Sequence, residues 1–277
     1  MSRDFTLEKY CELLQCAIGH KYELLTVADF LTDPKRGDTR TIVLRHDVDR
    51  DPCYAWRLGE LEANLGVRST MYFRFTRRIF RPEVVARIAS MGHEVGYHYE
   101  VLDRTRGDIP EALERFGYEL AEMRKVAEVK TAAMHGNPLT PWDNRDIWGT
   151  SSFADFNLLG EAYLSMIDVR YLSDAGRTWS QHRKIKDWMP PCGDTTKIGP
   201  HVQSTNDVIA WLGQCTAGSV CLSVHPERWA ASARQWIQSC AIDALLNVGK
   251  LAICPIAHCS RCAPTVAGYM SCLRRRQ

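Results

Sequence analysis

The chain has 277 residues, 45% of them hydrophobic and 25% charged, an ordinary globular composition that excludes disorder, collagen and coiled coil. Its 35 basic and 33 acidic residues leave a formal charge of +2, too little for a global field that would draw nucleic acid. No apolar run reaches the length of a membrane span, and Met1-Ser2-Arg3-Asp4 has an early acid and no apolar signal core.

These features point to one cytoplasmic domain over 1–277, with a helical lead-in at 1–40, a core at 41–250 and a cysteine-rich tail at 251–277. Residues 4–19 carry apolar side chains at Leu7, Tyr10, Cys11 and Leu14, a helical spacing with Asp4 or Thr6 as the cap. A polar turn region follows at 32–39.

Strands and helices then alternate. Strands are predicted at 41–44, 69–75, 94–99 and 131–134, and helices at 55–65, 82–91 and 108–126. The stretch 138–200 is rich in loops, with short strands expected at 169–172 and 184–188. A helix at 206–215, a strand at 219–224 and a helix at 230–246 complete the pattern. Repeated β-α-β units imply a mostly parallel sheet, and about seven of them can close into a barrel.

Of the eleven cysteines, Cys11, Cys16, Cys53, Cys215, Cys221 and Cys240 lie in apolar stretches and read as small core residues. Cys254, His258, Cys259, Cys262 and Cys272 crowd the tail. Only Cys259-Ser-Arg-Cys262 has zinc-like spacing, so a thiol-rich end is favoured over a metal site.

In a parallel barrel, active residues gather where strands end. Read in order, the strand ends carry His46-Asp47-Val-Asp49, then His93 to His98 with Glu100, then His135. Asp174 and Arg177 follow in the loop-rich middle, and His225 comes after the last strand. A lone histidine or capping aspartate is ordinary, but carboxylates and imidazoles at four or five strand ends suit metal-assisted hydrolysis. Asp174 and Arg177 form either a pair that tunes His225 or a plain salt bridge. Trp142, Trp148, Trp179, Trp188 and Trp229 fall in or beside the same loops, and Trp179 and Trp229 are the candidates for sugar stacking.

Between Ile42 and Gly249 the sequence resembles the NodB-type polysaccharide deacetylases, the family-four carbohydrate esterases. The resemblance rests on Asp47-x-Asp49, Gly92-His-Glu-Val-Gly-Tyr-His98 and Leu222-x-x-His225. It is closer to a divergent branch linked to bacterial surface-polysaccharide, or O-antigen, clusters. That likeness is carried by His46-Asp-Val-Asp49, Gly96-Tyr-His-Tyr-Glu100, His135-Gly-Asn-Pro138, Gly160-Glu-Ala-Tyr163 and His225-Pro-Glu-Arg-Trp229.

The resemblance implies a deformed (β/α)7-8 barrel that removes an acetyl group at a divalent metal, zinc by preference. It implies Asp47 as catalytic base, His225 as acid with Asp174 behind it, and Asp49 and His98 as metal ligands. The family's second ligating histidine falls at Leu102 here, so His135, or else Glu100, is the expected third ligand. Glu100, Arg177, Trp179 and Trp229 are the expected substrate contacts. The expected partner is an N-acetylated sugar or glycan precursor; oligomeric state is left open. Two rivals stand beside this reading, a non-catalytic glycan-binding barrel and a hydrolase of another C–N bond.

Overall fold

The computed structural model describes residues 3–33, 40–166, 169–180, 186–187, 201–214 and 218–259, with side chains to 248. The lead-in forms α1 (Leu7–Gly19), capped by the Thr6 hydroxyl, then β1 (Glu23–Leu25) and α2 (Val27–Thr32). The core runs through β2 (Thr41–Val48), α3 (Pro52–Asn64), β3 (Thr70–Phe73), α4 (Pro82–Ser90), β4 (Glu94–Tyr99), α5 (Val101–Arg104), α6 (Ile109–Arg124) and β5 (Val129–Met134). After it come β6 (Gly160–Glu161), β7 (Arg170–Ser173), α7 (Thr205–Gln214), β8 (Ser219–Val224) and α8 (Ala233–Cys259).

The strand order is β6-β5-β4-β3-β2-β8-β7, every pair parallel. The last strand therefore returns to β2, the first long one, while β6 and β7 end the order. This is the expected deformed (β/α) barrel, curled into a sheet whose two end strands are adjacent in sequence. β1 adds to the lower half of β2, below the stretch that pairs with β3.

Two core clusters sit on the two faces of this sheet. Ile42 and Leu44 of β2 join Val220, Leu222 and Val224 of β8 under α1 and α7, while Val43 belongs to the other cluster with Met71, Tyr72 and Tyr97. Strands covered on both faces read as continuous buried runs, and all eight residues of β2 are buried. Three of those eight are Arg45, His46 and Asp47.

The charged triplet survives burial because each member is paired. Arg45 and Asp47, two apart and so on one face, bond to each other. His46, on the opposite face, bonds Glu62 of α3 at 2.7 Å. Ser69 at 2.6 Å and Tyr10 bond the same Glu62 carboxylate. His46 is structural.

Four expectations differ from the structure. The first strand does not stop at residue 44 but continues to Val48. Residues 184–188 lie mostly outside the described set, and Lys186 and Asp187 within them are not in a strand. Among the expected core cysteines only Cys221 is buried; Cys53 is exposed, Cys11, Cys16 and Cys240 are half-buried, and Cys215 is outside the described residues. The helix expected at 230–246 runs as α8 to Cys259, and the tail beyond it is likewise outside. No helix among the described residues is long and apolar enough to cross a membrane.

Candidate active site

Asp49 lies just past the end of β2, where the inward face of that strand meets the inward ends of β4, β5 and β8. His98 Nε2 stands 3.4 Å from Asp49 Oδ1, His135 Nε2 stands 3.7 Å from the same oxygen, and His225 Nε2 stands 3.8 Å from Oδ2. Two of the imidazoles are anchored from behind through Nδ1, His98 by the Ala133 carbonyl at 3.0 Å and His225 by the Asp174 carboxylate at 2.6 Å. His135 Nδ1 lies 3.3 Å from the Glu100 carboxylate but is buried without a hydrogen bond.

Carbonyl and carboxylate oxygens can only accept, so the Nδ1 protons of His98 and His225 are committed to them. A neutral imidazole so held turns an Nε2 lone pair, not a proton, towards Asp49. Asp49 Oδ1 is itself buried with no hydrogen-bond partner. Lone pairs facing one another require a cation or a proton between them. Bonds of about 2.0–2.1 Å at the tetrahedral angle put ligand atoms roughly 3.4 Å apart. The spacings of 3.4 and 3.7 Å from Asp49 Oδ1 to His98 and His135 lie near that edge, and the anchored His98 fits the usual support of a ligating histidine. Among the described residues, however, no three His, Cys, Asp or Glu side chains form a ready-made cage. The nitrogens are grouped about the carboxylate rather than about one common point.

In the metal-free protein, with protons in place of a cation, burial opposes ionisation of Asp49, but His135, then His98 and His225, outweigh it and hold its carboxyl well below the ordinary range. Glu100 is held low in the same way: burial opposes its ionisation, and His135, Arg74 and Arg104 outweigh it.

Glu100 was one of two candidates for a third ligand and a candidate substrate contact. β4 ends at Tyr99, and the Glu100 side chain turns to Arg74 at 2.6 Å, to Arg104 and to His135. It stands behind His135, which itself faces Asp49. Leu102 is buried in α5, its backbone N–H bonding Asn144 at 2.8 Å, so that position points into packing.

Asp174 is fully buried and accepts from the His225 backbone and ring, from Arg228 at 3.2 Å and from the Trp229 indole at 2.8 Å. Burial would raise its pKa, but the His225 and Arg228 charges hold it down. Burial and Arg228 push the His225 imidazole towards neutrality; Asp174, by charge and bond, and Asp49 outweigh them and raise its pKa.

The charge beside Asp174 is thus Arg228, not Arg177. Arg177 Nη1 bonds Ser239 of α8 at 2.9 Å, and its guanidinium lies over Phe5, so it is turned away from a substrate role. Trp179 and Trp229 are fully buried, their indoles bonding Thr205 and Asp174. Neither ring has a free face for a sugar, and that expectation is corrected.

Asp47 is fixed differently. Arg45 Nη2 donates to both of its oxygens at 2.9 and 2.7 Å, and the Ser223 hydroxyl lies at 3.5 Å. Arg45 is itself stacked against the rings of Tyr163 at 4.3 Å and Tyr72 at 5.2 Å. The described contacts of Asp47 go to Arg45 and Ser223 rather than to the histidines.

Sequence reasoning missed Arg45, Arg228 and Glu227. Glu227 follows His225 in the 3-10 turn Pro226–Arg228 and is 5% exposed, with neither carboxylate oxygen hydrogen-bonded. Arg50 Nε approaches it at 3.6 Å. Burial and the Asp49 charge push its pKa up to about 7. The only signal was position, since Arg45 adjoins His46-Asp47 and both others lie inside His225-Pro-Glu-Arg-Trp229.

No protein-family model matches the sequence, and no curated protein matches it. Solved structures do. A Streptococcus mutans CE4 esterase is 11% identical over 81% of this chain and 85% of its own, with TM-score 0.43. A family 4 carbohydrate esterase from Bacillus anthracis is 16% identical over 87% of this chain and 86% of its own, with TM-score 0.35. A CE4 family pseudoenzyme from Bacillus anthracis is 13% identical with TM-score 0.41, and this chain spans 63% of its length. At such identities the likeness bears on fold alone, and at such scores it adds no weight; the fold description rests on the strand order.

Proposed function

We propose that the chain is a metal-dependent deacetylase of an N-acetylated sugar, serving surface-polysaccharide assembly, with Asp49, His98 and His135 as the metal ligands. The observation that carries this reading is the convergence of three imidazoles on Asp49, two of them hydrogen-bonded at Nδ1, with one Asp49 oxygen orphaned and buried. The sugar and the pathway rest on the sequence resemblance.

A divalent cation at Asp49 would supply Lewis acidity and make water acidic enough to lose a proton near neutral pH. The remaining tasks fall to this chain's own side chains. Asp47, held in one orientation by the two-toothed grip of Arg45, is the carboxylate to which this reading assigns that proton. His225, its Nδ1 proton given to Asp174, carries any second proton on Nε2. There it can be passed to a leaving amine, which cannot depart as an anion. Asp174 favours that charged form, and Arg228 and Trp229 fix Asp174 in turn.

The direct test is release of acetate from N-acetylglucosamine oligomers and from nucleotide-linked N-acetyl sugars, with formylated analogues alongside. Acetate released by wild type and lost in Asp49→Ala supports the reading. Formate alone would make the enzyme a hydrolase of a different C–N bond. The glycan-binding reading is favoured by one observation, the lack of a preformed three-ligand cage among the described residues, and it expects sugar binding without product.

A further inference from the structure

We infer that the loop between β3 and α4 is a phosphate-binding subsite, and that the sugar acted on is joined to a phosphate or pyrophosphate ester. The acetyl group in that statement rests on the deacetylase reading; the subsite rests on the loop itself. Residues 74–82 run Arg-Phe-Thr-Arg-Arg-Ile-Phe-Arg-Pro, four arginines with no acid among them, in a chain of net charge +2. Crowded like charges repel, so such a loop favours an anion that lies among them.

The loop starts at the candidate site. β3 lies between β2 and β4 in the sheet, so Arg74 emerges between the strand that leads to Asp49 and the strand that carries His98. Arg74 Nη2 bonds Glu100 at 2.6 Å, its Nη1 lies 3.4 Å from the Asp49 backbone carbonyl, and its Nε is buried without a hydrogen bond. The backbone then folds tightly. The Thr76 amide donates to the Arg74 carbonyl at 2.9 Å, and the Phe80 amide donates to the Thr76 carbonyl at 2.8 Å. Ile79 is buried, and the Phe75 ring packs against Phe80 at 5.4 Å and against Tyr118 of α6 at 6.5 Å.

This anchored turn holds Arg77 and Arg78 exposed, and neither has a hydrogen bond or ion pair to a described residue. Elsewhere on the surface Arg68 pairs with Asp29 and Arg87 with Glu60, each at 3.1 Å. Chemistry chooses the anion. Guanidinium forks match phosphate oxygens in pairs, whereas a neutral glycan offers them no charge. In an amino sugar acetylated beside the anomeric carbon, an anomeric phosphate lies within one ring of the acetyl carbonyl. Arg77 and Arg78 likewise lie one short turn beyond Arg74, which touches the Asp49 backbone. Nucleotide-linked and polyprenyl-linked sugars both carry that ester.

The test is calorimetric titration of the full chain after chelation, so that no metal binds the phosphate. The probes are uridine-diphosphate N-acetylglucosamine, farnesyl-diphosphate N-acetylglucosamine and neutral diacetylchitobiose. At least one ester is expected to bind about 10-fold or more tighter than the neutral disaccharide, and to weaken as salt is added. A tighter uridine form names a nucleotide as the carrier, and a tighter farnesyl form a lipid. Arg77→Gln combined with Arg78→Gln is expected to abolish the preference, while Arg68→Gln, before the opposite end of β3, keeps it. Equal affinity of the wild type for all three probes overturns the subsite. So does a preference that survives in the folded double variant. Ester binding without acetate release by the zinc-loaded wild type would sink the deacetylase reading and leave the subsite standing.

Discussion

Asp174 Oδ1 lies 2.6 Å from His225 Nδ1, and the same carboxylate accepts from the His225 backbone amide, Arg228 and Trp229. One buried aspartate therefore fixes the ring, its tautomer and the turn that carries it. Asp174→Asn keeps the shape but offers an N–H or a weaker acceptor to Nδ1. If the proposed function holds, acetate release is expected to fall by about 10²-fold or more, the scale of a lost general acid, with zinc uptake unchanged. Activity assays beside elemental analysis check both halves.

Arg45 and Asp47 form a buried pair, so removing one partner strands a charge. Arg45→Met should cost about 3–5 kcal/mol in denaturant unfolding, and Arg45→Lys less, because an ammonium keeps the charge without the fork. Equal losses in the two variants would show that stacking against Tyr163 and Tyr72 matters more than the charge.

That same pair explains where the sequence misled. A strand was expected to end at residue 44 because Arg45-His46-Asp47 looks like loop. The strand continues because the pair and Glu62 satisfy the triplet on opposite faces, and a sequence does not display contacts between α3 and β2. β8, uninterrupted by such groups, and β4, whose Glu94 and His98 stand apart among apolar and aromatic residues, were legible to the residue. β1, α2 and β6 are too short to show a period. Asp49, His98, His135 and His225 were legible as strand-end residues, and they do meet. Trp179 and Trp229 were misjudged because nearness to a site in sequence says nothing of which way a ring faces. Arg177 was preferred to Arg228 for the same reason: it is three residues from Asp174, whereas Arg228 arrives from beyond β8.

Gly96 has no room for a side chain. A Cβ there would lie 2.3 Å from the Tyr72 ring, which is pinned by its hydroxyl to Thr131 at 2.9 Å and covered by Arg45. Gly96→Ala is expected to destabilise the fold by about 1–3 kcal/mol, the range for overpacking, as measured by chemical denaturation. An unchanged midpoint would mean that Tyr72 moves freely and does not fix Arg45.

Glu62 and Glu227 should give stability opposite pH dependences in the metal-free protein. Burial opposes ionisation of Glu62, but His46, His93 and Ser69 outweigh it and lower its pKa. Its stabilisation is present above the unfolded value and is lost as pH falls through the folded one. Glu227 is raised to about 7, so its penalty appears as pH climbs from the unfolded value towards 7 and stays above it. Unfolding midpoints against pH should flatten on the acid side in Glu62→Gln and on the neutral side in Glu227→Gln.

Thiol labelling should separate two cysteines. Cys53 is exposed, while Cys221 is fully buried, with burial pushing its thiol up to about 12. Iodoacetamide at neutral pH is expected to modify Cys53 in the folded chain and Cys221 only in denaturant, as read by peptide mass spectrometry.

The central claim is that Asp49 and its imidazoles hold a divalent cation. The measurement is metal content by elemental mass spectrometry of chelator-stripped protein after reloading with zinc, for wild type, Asp49→Ala, His98→Ala and His135→Ala. Each should be folded and run under reducing conditions, beside a variant in which Cys254, Cys259, Cys262 and Cys272 are serine. About one zinc per chain is expected in wild type and in the serine variant, with loss in each of the other three. Zinc that persists in Asp49→Ala, or that disappears only with the tail cysteines, would contradict the claim.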